Sequence, residues 1–306
     1  MPGATTVQST GRASPIPLTA VVVHWNAPEW CAETVASLRA SVGVTMRIVV
    51  VDNSAGDHPY VVTGLEDLVI ERTNDGFSGG ANAGLHWWRA APEANDEHHV
   101  LVASHDAIVA PEAVRAMCET MIQLPWVGLV GVGGGSDAPA TAPTGHRWSV
   151  VPRPWVSGSL LLLSRAALDS VGLFDERLPS YVEDVDLSFR CWDAGLWTVV
   201  VDDVRLRWHG SRSAQAAQLT HQNWLRLSAK RRGTIGLAVV SGLMLTKLAR
   251  TSTAGHLAWR SSERRRTSKM WAHVYRSALT DGWRTRTQML APQDDTVRQR
   301  NGEEHP

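Results

Sequence analysis

The chain predicts an α/β fold: a mostly parallel sheet flanked by helices, with a C-terminal helical extension. Three observations predict it. Short runs rich in Val, Ile and Leu alternate with helical stretches, and these runs are apolar at consecutive positions, as strands covered on both faces must be. Polar residues close several of the runs, notably Asp52, Asn74 and Asp106, where a parallel sheet gathers its functional groups. Cationic side chains collect in the last quarter of the sequence, outside that alternation.

Residues 18–25 form the first such run and read as a strand. Pro28 then suits the first turn of a helix reaching residue 40, because its missing N–H would be unsatisfied there anyway. Residues 46–51 read as a second strand stopped by Asp52-Asn53-Ser54, and residues 68–70 begin a third, ended by Asn74-Asp75-Gly76. Helix over 77–91, strand over 100–103, helix over 111–122 and strand over 127–132 continue the alternation. Residues 133–145, rich in Gly, Pro, Ala and Thr, read as a mobile loop suited to a lid. Strand over 160–164, helix over 182–194 and strand over 197–201 follow, then helix over 213–232 with an Arg/Lys-rich end. From 233 to about 283 apolar positions alternate with Arg and Lys in a helical manner. The expected organisation is a flexible leader over 1–16, the α/β domain over 17–215, the basic helical extension over 216–290 and a flexible tail over 291–306.

With 306 residues and 43% hydrophobic content, the chain can bury a sizeable core and is not a disordered tail. The formal net charge of zero conceals a division: residues 1–225 carry 14 basic and 24 acidic side chains, residues 226–300 carry 16 basic and 4 acidic. A basic quarter suits an anionic partner. No nucleic-acid module accompanies it, so a membrane surface or a phosphate-bearing lipid is expected and nucleic acid is not; a solvated helical surface would have the same composition. Cys31, Cys118 and Cys191 lie far apart, which favours buried thiols in a reducing compartment over disulfides or a zinc site. The leader lacks an apolar core, and residues 234–245, interrupted by Gly236 and Gly242, are too few to span a bilayer, so no transmembrane span is expected.

The chemistry concentrates in Tyr181-Val182-Glu183-Asp184-Val185-Asp186, three carboxylates at the start of a helix. The positive helix terminus favours acids there, and grouped carboxylates bind a metal or take a proton; a solvated acidic first turn reads the same way. Asp106, beside His105 at a strand end, and His209, between Trp208 and Gly210, offer one carboxylate and one imidazole. With a diphosphate they would leave room for waters, the open arrangement Mg²⁺ or Mn²⁺ tolerates. The run Gly79-Gly80-Ala81-Asn82-Ala83-Gly84 is not in the dinucleotide register. Its small residues let backbone lie against phosphate or sugar, or let helix pack on sheet, and both uses stay open.

Assembled in order, these segments resemble family 2 glycosyltransferases of the GT-A fold, Rossmann-like in architecture, and their rhamnosyltransferase-like branch in particular. The resemblance runs from Leu18 to Ser213, and its most specific part pairs the run 74–84 with Phe174-Asp175-Glu176 and Glu183-Asp184-Val185-Asp186. It implies that His24, Asn26, Asp52, Asn53, Asn74, Phe77, Gly79, Gly80, Asn82, His105 and Asp106 bind a nucleotide-diphosphate sugar, dTDP-rhamnose or a UDP-sugar. It also implies that Asp106 and His209 hold a divalent cation, although Ser104 stands where the strand-end Asp-x-Asp has its first acid. Asp184 would be the base and Glu183 its partner, with Trp155, Gly158 and Glu183 near a glycan or lipid-linked acceptor. The expected reaction is an inverting sugar transfer to a hydroxyl, in the cytoplasm or peripherally at the inner face of the plasma membrane, with homo-oligomerisation left open. Two other classes are weighed beside it: a degenerate, non-catalytic binding subunit, suggested by the incomplete Asp-x-Asp, and a nucleotidyltransferase. The latter needs a basic phosphate loop near the first strand, which His24-Trp25-Asn26-Ala27-Pro28-Glu29 does not supply.

Overall fold

The computed structural model describes residues 3–10, 14–92, 99–135, 139–142, 147–209, 214–257, 262–285 and 289, with side chains described except at 135, 214 and 251–268. The chain divides into two compact units, residues 1–211 and 212–306. In the first unit the described elements run β1 (Thr5–Gln8), β2 (Ile16–His24), α1 (Pro28–Arg39), β3 (Val44–Asp52), β4 (Leu68–Glu71), α2 (Gly76–Ala90), β5 (His99–Ser104), β6 (Ala107–Ile108), α3 (Ala113–Gln123), β7 (Val127–Gly135), β8 (Arg147–Pro152), β9 (Leu160–Ser164), α4 (Arg165–Val171), α5 (Glu183–Asp193) and β10 (Trp197–Trp208). The second unit holds α6 (Ala214–Leu257) and α7 (Ser262–Arg284).

Among the described residues one sheet has the order β1-β8-β10-β7-β9-β5-β2-β3-β4, with β6 pairing β10. β5, β2, β3 and β4 are parallel, and β10 is parallel to β7. β9 runs antiparallel between β5 and β7, and β8, β1 and β6 are also antiparallel. The sheet is therefore mixed, where the sequence predicts a mostly parallel one. Strand direction leaves no mark on the apolar run Leu160–Ser164, which is buried on both faces either way.

Successive side chains of β2 enter opposite cores. Leu18, Ala20 and Val22 join the layer built with Cys31, Val35 and Leu38 of α1 and Val114 and Met117 of α3. Val21 and Val23 join the layer with Ala81, Leu85 and Trp88 of α2, Leu168 of α4 and Leu187 of α5. Parallel register sets His24 opposite Asp52 and Val23 opposite Ser104, so the ends of β2, β3 and β5 share one edge.

The expected leader contains β1, which pairs with β8 from Thr5↔Val150 to Gln8↔Arg147; residues 1–2 and 11–13 lie outside the description. The expected loop over 133–145 begins instead as the end of β7, paired to Arg205, Leu206 and Arg207 of β10. Residues 136–138 and 143–146 of that loop, Gly210 and Ser211, and the tail from 290 onward lie outside the description, as do the side chains of Arg264, Arg265 and Arg266.

In the second unit α6 is broken at Gly233, whose φ of 60° and ψ of −150° only glycine adopts readily. Before the break, Gln218 donates to Ser277 (2.6 Å) and Gln222 to Asp281 (2.6 Å), so that half runs alongside α7 in the same direction. After it, Trp283 donates to Ser241 (2.9 Å), so the chain has turned back along the same helix. By length and composition alone Gln215–Arg250 is long and apolar enough to cross a membrane, whereas the sequence singles out only residues 234–245 within it and expects no span.

Candidate active site

The shared strand edge builds the first half of the site. His24 ends β2 fully buried, its Nε2 3.3 Å from the His58 carbonyl and its Nδ1 unpartnered. Burial lowers its pKa, which keeps the ring neutral. Asn26, in the left-handed region at φ 48°, has its N–H bound by Ser54 and its Oδ1 unpartnered. Asn53 is buried too: its Nδ2 donates to the Gly76 carbonyl (2.8 Å) and its Oδ1 is unpartnered. Unpaired buried polar atoms are costly, and these three occur on neighbouring strand ends, the signature of a surface made to meet a polar ligand.

Asp52 is bonded within the strand edge itself. Its Oδ1 accepts from the Ser54 N–H (2.9 Å) and its Oδ2 from the Tyr60 N–H (2.7 Å), so the carboxylate ties down the loop after β3. Burial pushes its pKa up, but those amides and neighbouring His24 outweigh burial and hold it below the ordinary value.

The small-residue run packs closely within the unit. A Cβ on Gly80 would meet Asn53 Nδ2 at 2.6 Å and Val23 Cγ1 at 2.8 Å, and one on Gly84 would meet Val21 Cγ1 at 2.2 Å. One on Gly79 would meet the Asp75 carboxylate at 2.2 Å. Gly80 and Gly84 let α2 lie against β2, and Gly79 accommodates Asp75, so the glycines serve packing. Asn82 donates to the Phe174 carbonyl (3.0 Å) and Glu176 (2.8 Å) and accepts from the Phe174 N–H (3.0 Å). Phe77 packs edge-on against Phe174 at 6.1 Å, and Asn74 accepts from the Gly76 N–H (2.9 Å). Phe77 and Asn82 thus hold the segment leading to α5, while Asn74, Gly79 and Gly80 make their contacts within and beneath α2. The two sequence segments that occur together in the resemblance are bonded to each other.

Asp106 follows β5 and accepts from the Ser104 hydroxyl (2.5 Å). Ser104 N–H donates to the Ser159 carbonyl (3.0 Å), and the neighbouring Gly158 N–H donates to Asp184 Oδ2 (2.7 Å). Asp184 Oδ1 accepts from the Val185 N–H (2.8 Å). A short bonded path therefore runs from Asp106 to Asp184. β6 pairs with the end of β10, which brings the His209 N–H to the Asp106 carbonyl (3.3 Å). The His209 ring stacks on Trp30 (5.3 Å) and its Nε2 lies 2.9 Å from Glu33 Oε2; the half-buried His105 ring stacks on the same Trp30. Sequence reasoning missed Trp30 and Glu33. Their position on α1, just after Pro28 and the end of β2, was the available signal.

Among the described residues no group of three His, Cys, Asp or Glu side chains assembles as a metal site. Asp106 offers the oxygen that Ser104 does not bind, and His209 has Glu33 as a competing partner. The donor set fits a divalent cation only when a substrate diphosphate and waters complete the shell.

α5 presents the acids from a strained turn. Tyr181 and Val182 both have positive φ, 66° and 75°, a conformation costing about 1–3 kcal/mol per non-glycine residue. Val182 is the N-cap and no side chain caps the helix. Glu183 is buried with Oε2 unpartnered; burial, then the charge of Asp184, raises its pKa well above the carboxylate range. Asp186 pairs with Arg190 at 2.9 Å, and Arg190 also binds the carbonyls of Val171 and Leu173, which makes Asp186 a structural acid. Trp155 is 45% exposed and can offer a ring face to a ligand.

Glu183 predicts a pH effect. A group whose folded pKa is raised stabilises the fold below its unfolded pKa, near 4, and that contribution is lost as pH rises through the folded value. Glu183→Gln, which cannot ionise, is expected to match the parent near pH 4 and to become the more stable of the two towards neutral and alkaline pH. Chemical denaturation across that range measures it. A difference independent of pH would remove Glu183 as a neutral buried acid.

Residues 146–285, less than half of the chain, match the family model described as glycosyl transferase family group 2. Over 70 residues the chain is 41% identical to N-acetylglucosaminyl-diphospho-decaprenol L-rhamnosyltransferase of two Mycobacterium tuberculosis strains; that stretch is 23% of this chain and 23% of those relatives. The mannosyltransferase PcManGT from Pyrobaculum calidifontis, solved with GDP-Man and Mn²⁺, shares the fold at a TM-score of 0.58 and 15% identity, over 89% of this chain and 88% of that one. Residues 146–285 thus carry the sequence of glycosyl transferase family group 2, within a chain that is similar to the family 2 glycosyltransferases and has the GT-A fold.

Proposed function

We propose that the protein is an inverting glycosyltransferase that moves a sugar from a nucleotide-diphosphate donor to an acceptor hydroxyl. The observation that supports this most is the path from Asp106 through Ser104, Ser159 and Gly158 to Asp184, which holds a phosphate-side carboxylate and a base-side carboxylate on one strand edge. The unpartnered atoms of His24, Asn26 and Asn53 supply donors and acceptors for the nucleoside. The acceptor hydroxyl lies against Asp184, with the Trp155 face beneath the acceptor sugar. Its oxygen forms the new bond to the anomeric carbon as the bond to the diphosphate breaks, and its proton passes to Asp184. Attack opposite the leaving group inverts the anomeric centre, and no covalent intermediate is needed. Glu183, neutral and buried, supplies a hydrogen-bonding group beside the base and adds no second charge.

Asp106, with His209 exchanged from Glu33, would hold Mg²⁺ or Mn²⁺ together with the donor diphosphate. Such a cation balances the charge of the departing diphosphate. Excess chelator is expected to abolish transfer, and Asp106→Ala to weaken binding of the nucleoside diphosphate in the presence of Mn²⁺ by tenfold or more. Titration calorimetry reads the binding directly. Full transfer in chelator would overturn the cation's part and leave the phosphates to cationic side chains.

The partial match to an enzyme named for a diphospho-decaprenol acceptor supports a deoxysugar donor such as dTDP-rhamnose and a lipid-linked saccharide acceptor. Buried free thiols at Cys31, Cys118 and Cys191 agree with a cytoplasmic site of action. Screening nucleotide sugars by thermal shift, followed by product analysis with the stabilising donor, tests the reading. No stabilisation by any of them favours a binding subunit with a degenerate site.

A further inference from the structure

We infer that the half of α6 after Gly233 is an interfacial membrane helix that docks on an anionic phospholipid surface without crossing it. One face of this half is used inside its own unit: Leu237, Ser241 and Met244 are buried, and Ser241 is bonded to Trp283 of α7. The opposite face carries Ile235, Val239 and Leu243, spaced one helical turn apart and 78%, 59% and 59% exposed. A stripe of large apolar residues so exposed is a surface awaiting a partner.

Charge selects the partner. Exposed Arg231 and Arg232 stand at one end of the stripe, and exposed Lys247 and Arg250 at the other. Residues 226–250 contain six basic side chains and no acidic one. Two copies joined through this face would bring cations together whichever way the helices ran, whereas phosphodiester headgroups neutralise both ends while acyl chains receive the stripe. Geometry selects lying over crossing. The helix is interrupted at Gly233, and from there to the next cation, Lys247, the uncharged stretch is residues 233–246. At 1.5 Å per residue that is about 20 Å, short of the ~30 Å hydrocarbon core. The length that satisfies a composition test for Gln215–Arg250 belongs to two helical pieces with Arg231 and Arg232 at their junction.

The inference does not depend on the transferase reading, since lipid binding is read without donor or acceptor. The full chain is floated with vesicles of equal parts phosphatidylglycerol and phosphatidylcholine, and with vesicles of phosphatidylcholine alone. The expected result is association with the anionic vesicles at low salt, release by alkaline carbonate, and marked loss in about 1 M salt, where the Debye length is about 3 Å. Val239→Glu and Leu243→Glu, both at exposed positions, should lower the bound fraction about tenfold with melting temperature and helicity unchanged. Lys247→Glu with Arg250→Glu should do the same only for the anionic vesicles. The inference is overturned by failure to float, by indifference to the glutamate substitutions, or by resistance to carbonate, which would mean a spanning helix. It is equally overturned if Val239→Glu dissociates an oligomer in the absence of vesicles, since the stripe then meets a second copy of the chain.

Discussion

Asp184→Asn is expected to slow sugar transfer by about two to four orders of magnitude, the usual scale for a positioned general base. The structure makes this substitution more than a loss of charge. Asp184 accepts at both oxygens, from Gly158 N–H and Val185 N–H, and an amide offers only one oxygen. The NH₂ of asparagine must then face a backbone N–H, a mismatch that costs about 1–3 kcal/mol. A modest fall in melting temperature should therefore accompany the loss of turnover, with binding of the nucleoside diphosphate retained because its proposed contacts lie on the β2, β3 and β5 ends. Glu183→Gln is the companion measurement. Near-normal turnover in Asp184→Asn with a collapse in Glu183→Gln would transfer the base assignment to Glu183, since Asp186 is committed to Arg190.

Gly76→Ala is expected to be the most damaging single-atom change outside the acids. Gly76 has φ of +90°, and an added Cβ would sit 2.3 Å from the Pro179 carbonyl oxygen and 2.6 Å from Pro179 Cβ. Strain and overpacking each cost about 1–3 kcal/mol, so a loss of about 3 kcal/mol or more is expected. Gly56→Ala is the control: its φ is +91°, but nothing lies within 4 Å of the new atom, so only the conformational cost remains. Denaturant melts of the two variants separate the effects. If they matched within a few tenths of a kcal/mol, the contact between Gly76 and Pro179 would not be holding this region. Because Pro179 precedes the strained Tyr181-Val182 turn, Gly76→Ala should also depress turnover in whatever fraction remains folded.

The parallel strands β2, β3 and β5 were legible because a strand covered on both faces is apolar at consecutive positions, as 20–23, 48–51 and 100–103 are. The reversed β9 was not legible, for the same reason: its leucines look identical in either direction. β1, β6 and β8 lie towards one edge of the sheet, and β6 is only two residues long, so composition gives little signal there. The break at Gly233 was hidden among Gly236 and Gly242, which α6 absorbs without distortion. In the site, the acids of α5 and Asp106 announced themselves by charge in an apolar setting. The packing of Gly80 and Gly84 on β2 did not, because a close approach demands small residues whether the other surface is a phosphate or a strand. Glu33 carried only a positional signal, on α1 just after Pro28; it is the fold that carries α1 to the end of β10.

The reversed direction of β9 has a dynamic consequence. Leu160–Leu163 are 0–1% exposed and bonded to β5 on one side and β7 on the other, so their amides should exchange with solvent only when the whole unit unfolds. Because the strand runs backwards, it is its entrance, not its exit, that reaches the edge formed by the ends of β2, β3 and β5, and Gly158 stands two residues before Leu160. The amide that grips Asp184 is thus anchored beside the slowest-exchanging backbone in the molecule. The acid side of the reaction should remain protected on the timescale of global opening even while the loop after β3, held by Asp52, exchanges by local fluctuation.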